Sequence, residues 1–331
     1  MQLASVYNES KRSKESLSLL AEVLPFLKAN RYRRYELLAL SVASRAHESL
    51  DELDQARQIS SDVLAMAEAV KDEGQVALTV SNLASVTTSL GQYPEALRLR
   101  ERAEAIHRRL GDKGALPYDL TNRADLLIRL GRREEAETLL AELDAGIAAG
   151  IDSYIGRKRR ATFLRALAAA TALRCDDALR FVAQFEAGGA AGAPGAAGVL
   201  VPAIADFCST RLGRREATVR DSPDAEPSLA RERHYWRAAA ALQRQDAKTS
   251  LAEVNQGLAQ LGTLSNDELR WRLAAVGALA AKRLGNARSA ADLDATARRA
   301  IEQVRSAWKA DFETYARRTD IADLRNRAGQ S

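Results

Sequence analysis

The chain has 331 residues, 46% hydrophobic but only 5% aromatic, and its 49 Lys and Arg against 44 Asp and Glu leave a net charge of +5. That length suits two ordinary domains or one repeat array, which grows in one direction without a single central core. Abundant Ala and scarce β-branched runs point to closely packed helices and away from a sheet-based fold.

The charges are so nearly balanced that most read as solvated helix surface. Nucleic-acid binding would need the small excess gathered on one face, and a nucleic-acid partner is not the expectation. No uncharged apolar run reaches the 18 residues of a membrane span. Cys175 and Cys208 lie 33 residues apart (208 − 175) with no second pair, so they suggest neither a zinc motif nor a disulfide framework. Met1-Gln-Leu-Ala-Ser-Val-Tyr lacks the basic stretch and apolar core of an export leader, and a cytoplasmic location is expected.

Taken in order, the chain begins with a short segment, Met1 to Asn8, before a helix predicted over Ser13 to Ala29. Next comes Leu50-Asp-Glu-Leu-Asp-Gln-Ala56. The following stretch says one thing twice. Asn82-Leu-Ala and Ser89-Leu-Gly91-Gln-Tyr-Pro-Glu-Ala96 are followed by Asn122-Arg-Ala and Arg129-Leu-Gly131-Arg-Arg-Glu-Glu-Ala136, each marker displaced by 40 residues (122 − 82, 131 − 91, 136 − 96). Stepping back by the same interval from Ala96 gives Ala56 and then Ser16. A fixed helical period is the mark of stacked helix pairs, here with a tight Leu-Gly turn and a small residue where the two helices cross. The short first helix suggests that the array lacks upstream sequence, since arrays usually start with a complete polar cap.

Further on, Thr171-Ala-Leu173-Arg-Cys-Asp-Asp-Ala178 gives a fifth turn, one residue shorter between Leu and Ala, and Arg211-Leu-Gly213 gives a sixth. Leu242-Gln-Arg-Gln-Asp-Ala and Arg283-Leu-Gly285 give the seventh and eighth, their leucines 42 apart (284 − 242). Gly188 to Gly198, rich in Gly, Ala and Pro, is expected to be a flexible loop, because glycine carries backbone entropy and proline denies a helix its donor. It separates an N-terminal half, 1–187, from a C-terminal half, 199–331. Asp221-Ser-Pro-Asp-Ala-Glu-Pro227 is a second break before a helix capped by Ser228. At the end, Trp308, Phe312, Tyr315, Ile321 and Leu324 are spaced to share one helical face and to cover the last repeat.

These markers resemble the tetratricopeptide repeat superfamily. The Asn-Leu-Ala opening and the long period are closest to its kinesin-light-chain variety, without the usual 34-residue step and its Trp. The closing segment is similar to those of tetratricopeptide regions in bacterial multidomain signalling proteins, including Ser/Thr kinases. The resemblance implies an all-α superhelical solenoid of seven or eight helix pairs with a C-terminal cap. It also implies a concave surface lined by the first helix of each pair. On that surface it places Leu38, Ser41, Arg45 and Glu48, then Leu78, Ser81, Asn82, Ser85 and Thr88, then Tyr118, Thr121, Asn122, Asp125 and Arg129.

Asn82 and Asn122 recur at one register. An amide there can both donate to and accept from a peptide backbone, and Asn is otherwise a poor mid-helix residue. Arg45 and Arg129 would suit a carboxylate, although the two-carboxylate clamp of chaperone cofactors is not reproduced. The expected peptide site is therefore Asn82, Asn122, Arg45, Ser85, Tyr118, Asp125 and Arg129.

No catalytic set emerges. His47, His107 and His234 are far apart in sequence and read as packing or surface residues, and no phosphate-binding Gly loop is present. Arg157-Lys-Arg-Arg160 reads as the solvated start of a helix. The expected function is non-catalytic protein or peptide binding, in bacterial signalling or regulation, with no cofactor and no metal. The alternatives are the sensor or docking region of a larger enzyme such as a Ser/Thr protein kinase, and a nucleic-acid-binding regulator.

Overall fold

In a computed structural model, residues 2–150, 155–188, 196–214 and 226–329 are described, and they form α-helices joined by tight turns. The chain divides into two compact units, Met1–Asp119 and Leu120–Ser331. The tract expected to separate two halves lies largely outside the described residues.

The first unit holds α1 (Gln2–Glu9), α2 (Ser13–Ala29), α3 (Arg33–Ser49), α4 (Leu53–Ala69), α5 (Glu73–Ser89) and α6 (Tyr93–Leu110), and the first turn of α7 (Leu116–Arg129). The second holds the rest of α7, then α8 (Arg133–Ala148), α9 (Ile155–Thr171), α10 (Cys175–Ala187), α11 (Ala196–Arg211) and α12 (Pro227–Gln243). It continues with α13 (Ala247–Leu261), α14 (Asp267–Arg283), α15 (Ala287–Trp308), α16 (Ala310–Ala316) and α17 (Thr319–Ala328). Within each unit, successive helices pack on one another, the all-α solenoid arrangement. Among the described residues no helix is long and apolar enough to cross a membrane.

The backbone itself carries the period. The turn inside each described helix pair contains one residue in the left-handed region, and these residues are Lys11, Asp51, Gly91 and Gly131, 40 apart, then Leu173, Gln245 and Gly285; Gly213, after α11, has the same conformation. A left-handed residue closes the last helical turn by satisfying carbonyls that have no partner in the helix, and glycine does so at least cost. This revises two readings of the sequence. Leu173 takes the glycine position itself, so the fifth turn is not shortened. The seventh turn pivots on Gln245, so the step from the seventh turn to the eighth is 40 (285 − 245) and not the 42 between leucines.

Five residues after every one of these pivots except Gly213 stand Ser16, Ala56, Ala96, Ala136, Ala178, Ser250 and Ala290, all buried. Seven residues before those same pivots stand Ala4, Ser44, Ala84, Ala124, Ala166, Ala238 and Ala278, buried as well, whereas Asp206 stands seven before Gly213. These two small positions meet where the helices of a pair cross. The Ser16 Oγ donates to the carbonyl of Ala4 (2.8 Å), that of Ser44 to Ala56 (2.9 Å) and that of Ser250 to Ala238 (2.9 Å). Backbones this close leave no room for larger side chains.

Local signals set the helix starts. Asp72, Asn266 and Asn286 accept from the backbone N–H three residues on, the usual N-cap bond. α12 begins at Pro227, not behind a Ser228 cap, because proline's fixed φ and missing N–H suit the first helical position.

Candidate functional site

In the first unit, one face of the first helices stays accessible. On α5 it runs through Leu78, Asn82 and Ser85, and on α3 through Leu38, Val42 and Arg45, the 4-then-3 spacing of a single helical face. Leu38, Leu78 and Tyr118 share one register position, and Leu78 and Tyr118 are 42% and 46% exposed. Asn82 and Arg45 are half-buried. Among the described residues, the amide of Asn82 has no hydrogen-bond partner and Arg45 has no carboxylate partner.

Arg100 reaches this face from α6. Although buried, it donates through Nη2 to the Ser85 Oγ (2.7 Å) and holds its guanidinium 5.5 Å from the Tyr118 ring centroid. It thereby fixes Ser85 and supports Tyr118 from below. Behind it, buried Asp119 pairs with Nδ1 of His107 at 2.7 Å. Burial raises the Asp119 carboxyl above the usual range, and the bond to His107 opposes that shift.

The second unit treats the same register positions differently. Asp125, Arg129, Glu232, Trp236, Glu268 and Arg272 are all buried. Arg129 donates from Nε to Asp125 (2.8 Å) and from Nη1 to Glu232 (2.8 Å), and Arg160 reaches the other oxygen of Asp125 at 3.0 Å. The carboxylates that Arg129 holds are thus the chain's own. Asn122, half-buried, is also engaged within the chain. Of the residues expected to form one peptide site, Asn82, Arg45, Ser85 and Tyr118 belong to the first unit, and Asn122, Asp125 and Arg129 to the second.

The second unit's face is filled by its own C-terminal segment. Trp308, Phe312 and Tyr315 cluster, with the Trp308 and Tyr315 rings 4.9 Å apart. The Tyr315 hydroxyl accepts from Trp271 Nε1 and donates to Glu268, both at 2.9 Å. Beyond this expected cover of the last repeat, Arg318 grips Asp320 through two nitrogens and donates to the carbonyl of Arg129, 189 residues earlier. Gly131 makes the approach possible, because a Cβ there would meet the Thr314 carbonyl at 3.1 Å. Sequence reasoning missed this role. The one signal for it was a glycine that serves both a turn and a close contact.

The remaining candidates are absorbed structurally. His47 pairs with Glu52 at 2.5 Å and His234 with Glu253 at 2.6 Å. In the basic cluster, Arg159 lies over the Phe185 ring and Arg160 binds Asp125, so it is only partly a solvated helix start. Among the described residues no three His, Cys, Asp or Glu side chains gather as a metal site would require.

Residues 75–143, which span α5 to α8, match the tetratricopeptide repeat family. No curated protein matches the chain.

Proposed function

We propose that this chain, a tetratricopeptide-like repeat protein, is a non-catalytic scaffold that binds an extended peptide along the accessible face of its first unit. Tetratricopeptide repeats are in general protein-interaction scaffolds. The observation that carries the reading is the amide of Asn82, unpartnered and flanked by exposed Leu78. An amide on such a face holds a peptide backbone whatever its sequence, while the apolar side chains beside it select among peptides. Leu78 and Tyr118 serve as the apolar anchors, Ser85 is held in place by Arg100, and Arg45 takes an acidic side chain of the ligand.

The test begins with peptides selected from a random displayed library against the full chain. Asn82→Ala should weaken the selected peptides by roughly 5- to 150-fold, the effect of stranding one buried hydrogen-bond partner worth about 1–3 kcal/mol, with the thermal midpoint little changed. Asn122→Ala should do the reverse, lowering stability with affinity kept. A library that yields no binder dependent on Asn82 would count against the reading.

A further inference from the structure

We propose that the turn between α2 and α3 is a binding surface for single-stranded nucleic acid. Of the aromatic side chains among the described residues, four are exposed, and three of these fall within ten residues, Phe26 (59%), Tyr32 (48%) and Tyr35 (56%). The rings of Phe26 and Tyr32 lie 6.0 Å apart and tilted, and Tyr35 follows Tyr32 by three residues. Large apolar rings left in water are costly, and clustered ones mark a surface used for contact.

Interleaved with them are Lys28, Arg31, Arg33 and Arg34, all exposed. Arg33 pairs with Glu36 at 3.1 Å, whereas among the described residues Lys28, Arg31 and Arg34 pair with no carboxylate. The gathering of charge extends around the turn. Residues 11–45 hold eight Lys and Arg against three Asp and Glu, a net of +5 (8 − 3), whereas residues 46–119 of the same unit hold eight against thirteen, a net of −5 (8 − 13). The near-neutral composition of the chain therefore conceals a unit with one strongly basic end.

Flat rings set among unpaired cations are what a single strand requires. Each base offers a face for stacking, and each phosphate offers a charge for Arg or Lys. A duplex would hide its base faces from Tyr32 and Tyr35, and an acidic peptide would have no use for the rings. The observations favour the single strand over both. The surface does not depend on the peptide-binding reading and stands if that reading fails.

Fluorescence anisotropy of the full chain with labelled 12-mers of dT and of U tests the proposal. Binding should weaken with salt on a log–log slope of about −2 to −3, as expected for three or four phosphates at roughly −0.7 each. Tyr32→Ala and Tyr35→Ala should each reduce affinity by about 5- to 150-fold through lost stacking, and Tyr32→Phe and Tyr35→Phe should restore it. Arg31→Glu with Arg34→Glu should flatten the salt slope, and Lys158→Glu, in the other basic cluster, should leave binding as it was. The proposal is overturned if the full chain binds neither 12-mer at low salt, or if the Tyr→Ala variants bind unchanged. It is equally overturned if a duplex or poly-glutamate of equal charge binds as tightly, or if Lys158→Glu abolishes binding.

Discussion

Gly131 and Gly285 have the same left-handed backbone and the same place in their turns, yet they should not respond alike to a Cβ. Both would acquire the strain of a non-glycine residue there, about 1–2 kcal/mol. Gly285 has nothing within 4 Å of the added carbon, whereas Gly131 meets the Thr314 carbonyl. Chemical denaturation should find Gly131→Ala the more damaging variant by roughly 1 kcal/mol or more, the usual scale of overpacking. Gln245, exposed at the same turn position, should gain up to about 1 kcal/mol on replacement by Gly. At the crossing position, Ala96→Leu should cost about 1–3 kcal/mol by forcing α5 and α6 apart; stability unchanged within error would contradict the register. The small residues at these crossings were legible in the sequence because Ala56, Ala96 and Ala136 repeat. The turn pivots were legible only where glycine marks them. Leu173 and Gln245 are held left-handed by the helices on either side, and side-chain identity gives no notice of that.

Among the helices, α16 and α17 depart most from the repeat and bind the second unit together. Their aromatic spacing was readable in advance, but their second contact was not. The bond from Arg318 to the Arg129 carbonyl joins segments far apart in sequence, and a local pattern cannot report such a pairing. Arg129→Ala should destabilise the second unit by about 3–5 kcal/mol, because Asp125 and Glu232 would be left buried without their shared cation. Thermal and denaturant unfolding would measure the loss. Glu268 supplies a pH signature. Burial raises its carboxyl pKa, but Arg272 and Arg318 more than offset this and hold it below the usual glutamate range. A carboxylate depressed in the folded state stabilises above its unfolded pKa, about 4.3, and that contribution disappears as pH falls through the folded value. The stability advantage of the native chain over Glu268→Gln should therefore be full at neutral pH and shrink in acid. An advantage that grew toward low pH would mean that the carboxylate is not held by these arginines.

For the molecule as a whole, the two units put one repeat to different uses. The fold class and the first four pairs were written in the 40-residue step. What the step did not disclose is that equivalent positions, Arg45 and Ser85 in one unit and Asp125 in the other, are accessible in the first and covered in the second. At Asp125 the cover is the side chains of Arg129 and Arg160, which hold its two oxygens, and the period does not report that pairing. The central claim is that a peptide occupies the first unit's face while the second unit's is already filled by its own chain. Hydrogen exchange of the full chain, with and without a peptide selected on it, tests this most directly. The account predicts added protection in α3 and α5, around residues 38–49 and 78–89, with residues 310–328 unchanged. Protection confined to the second unit, or loss of protection in 310–328 as the peptide displaces that segment, would contradict it.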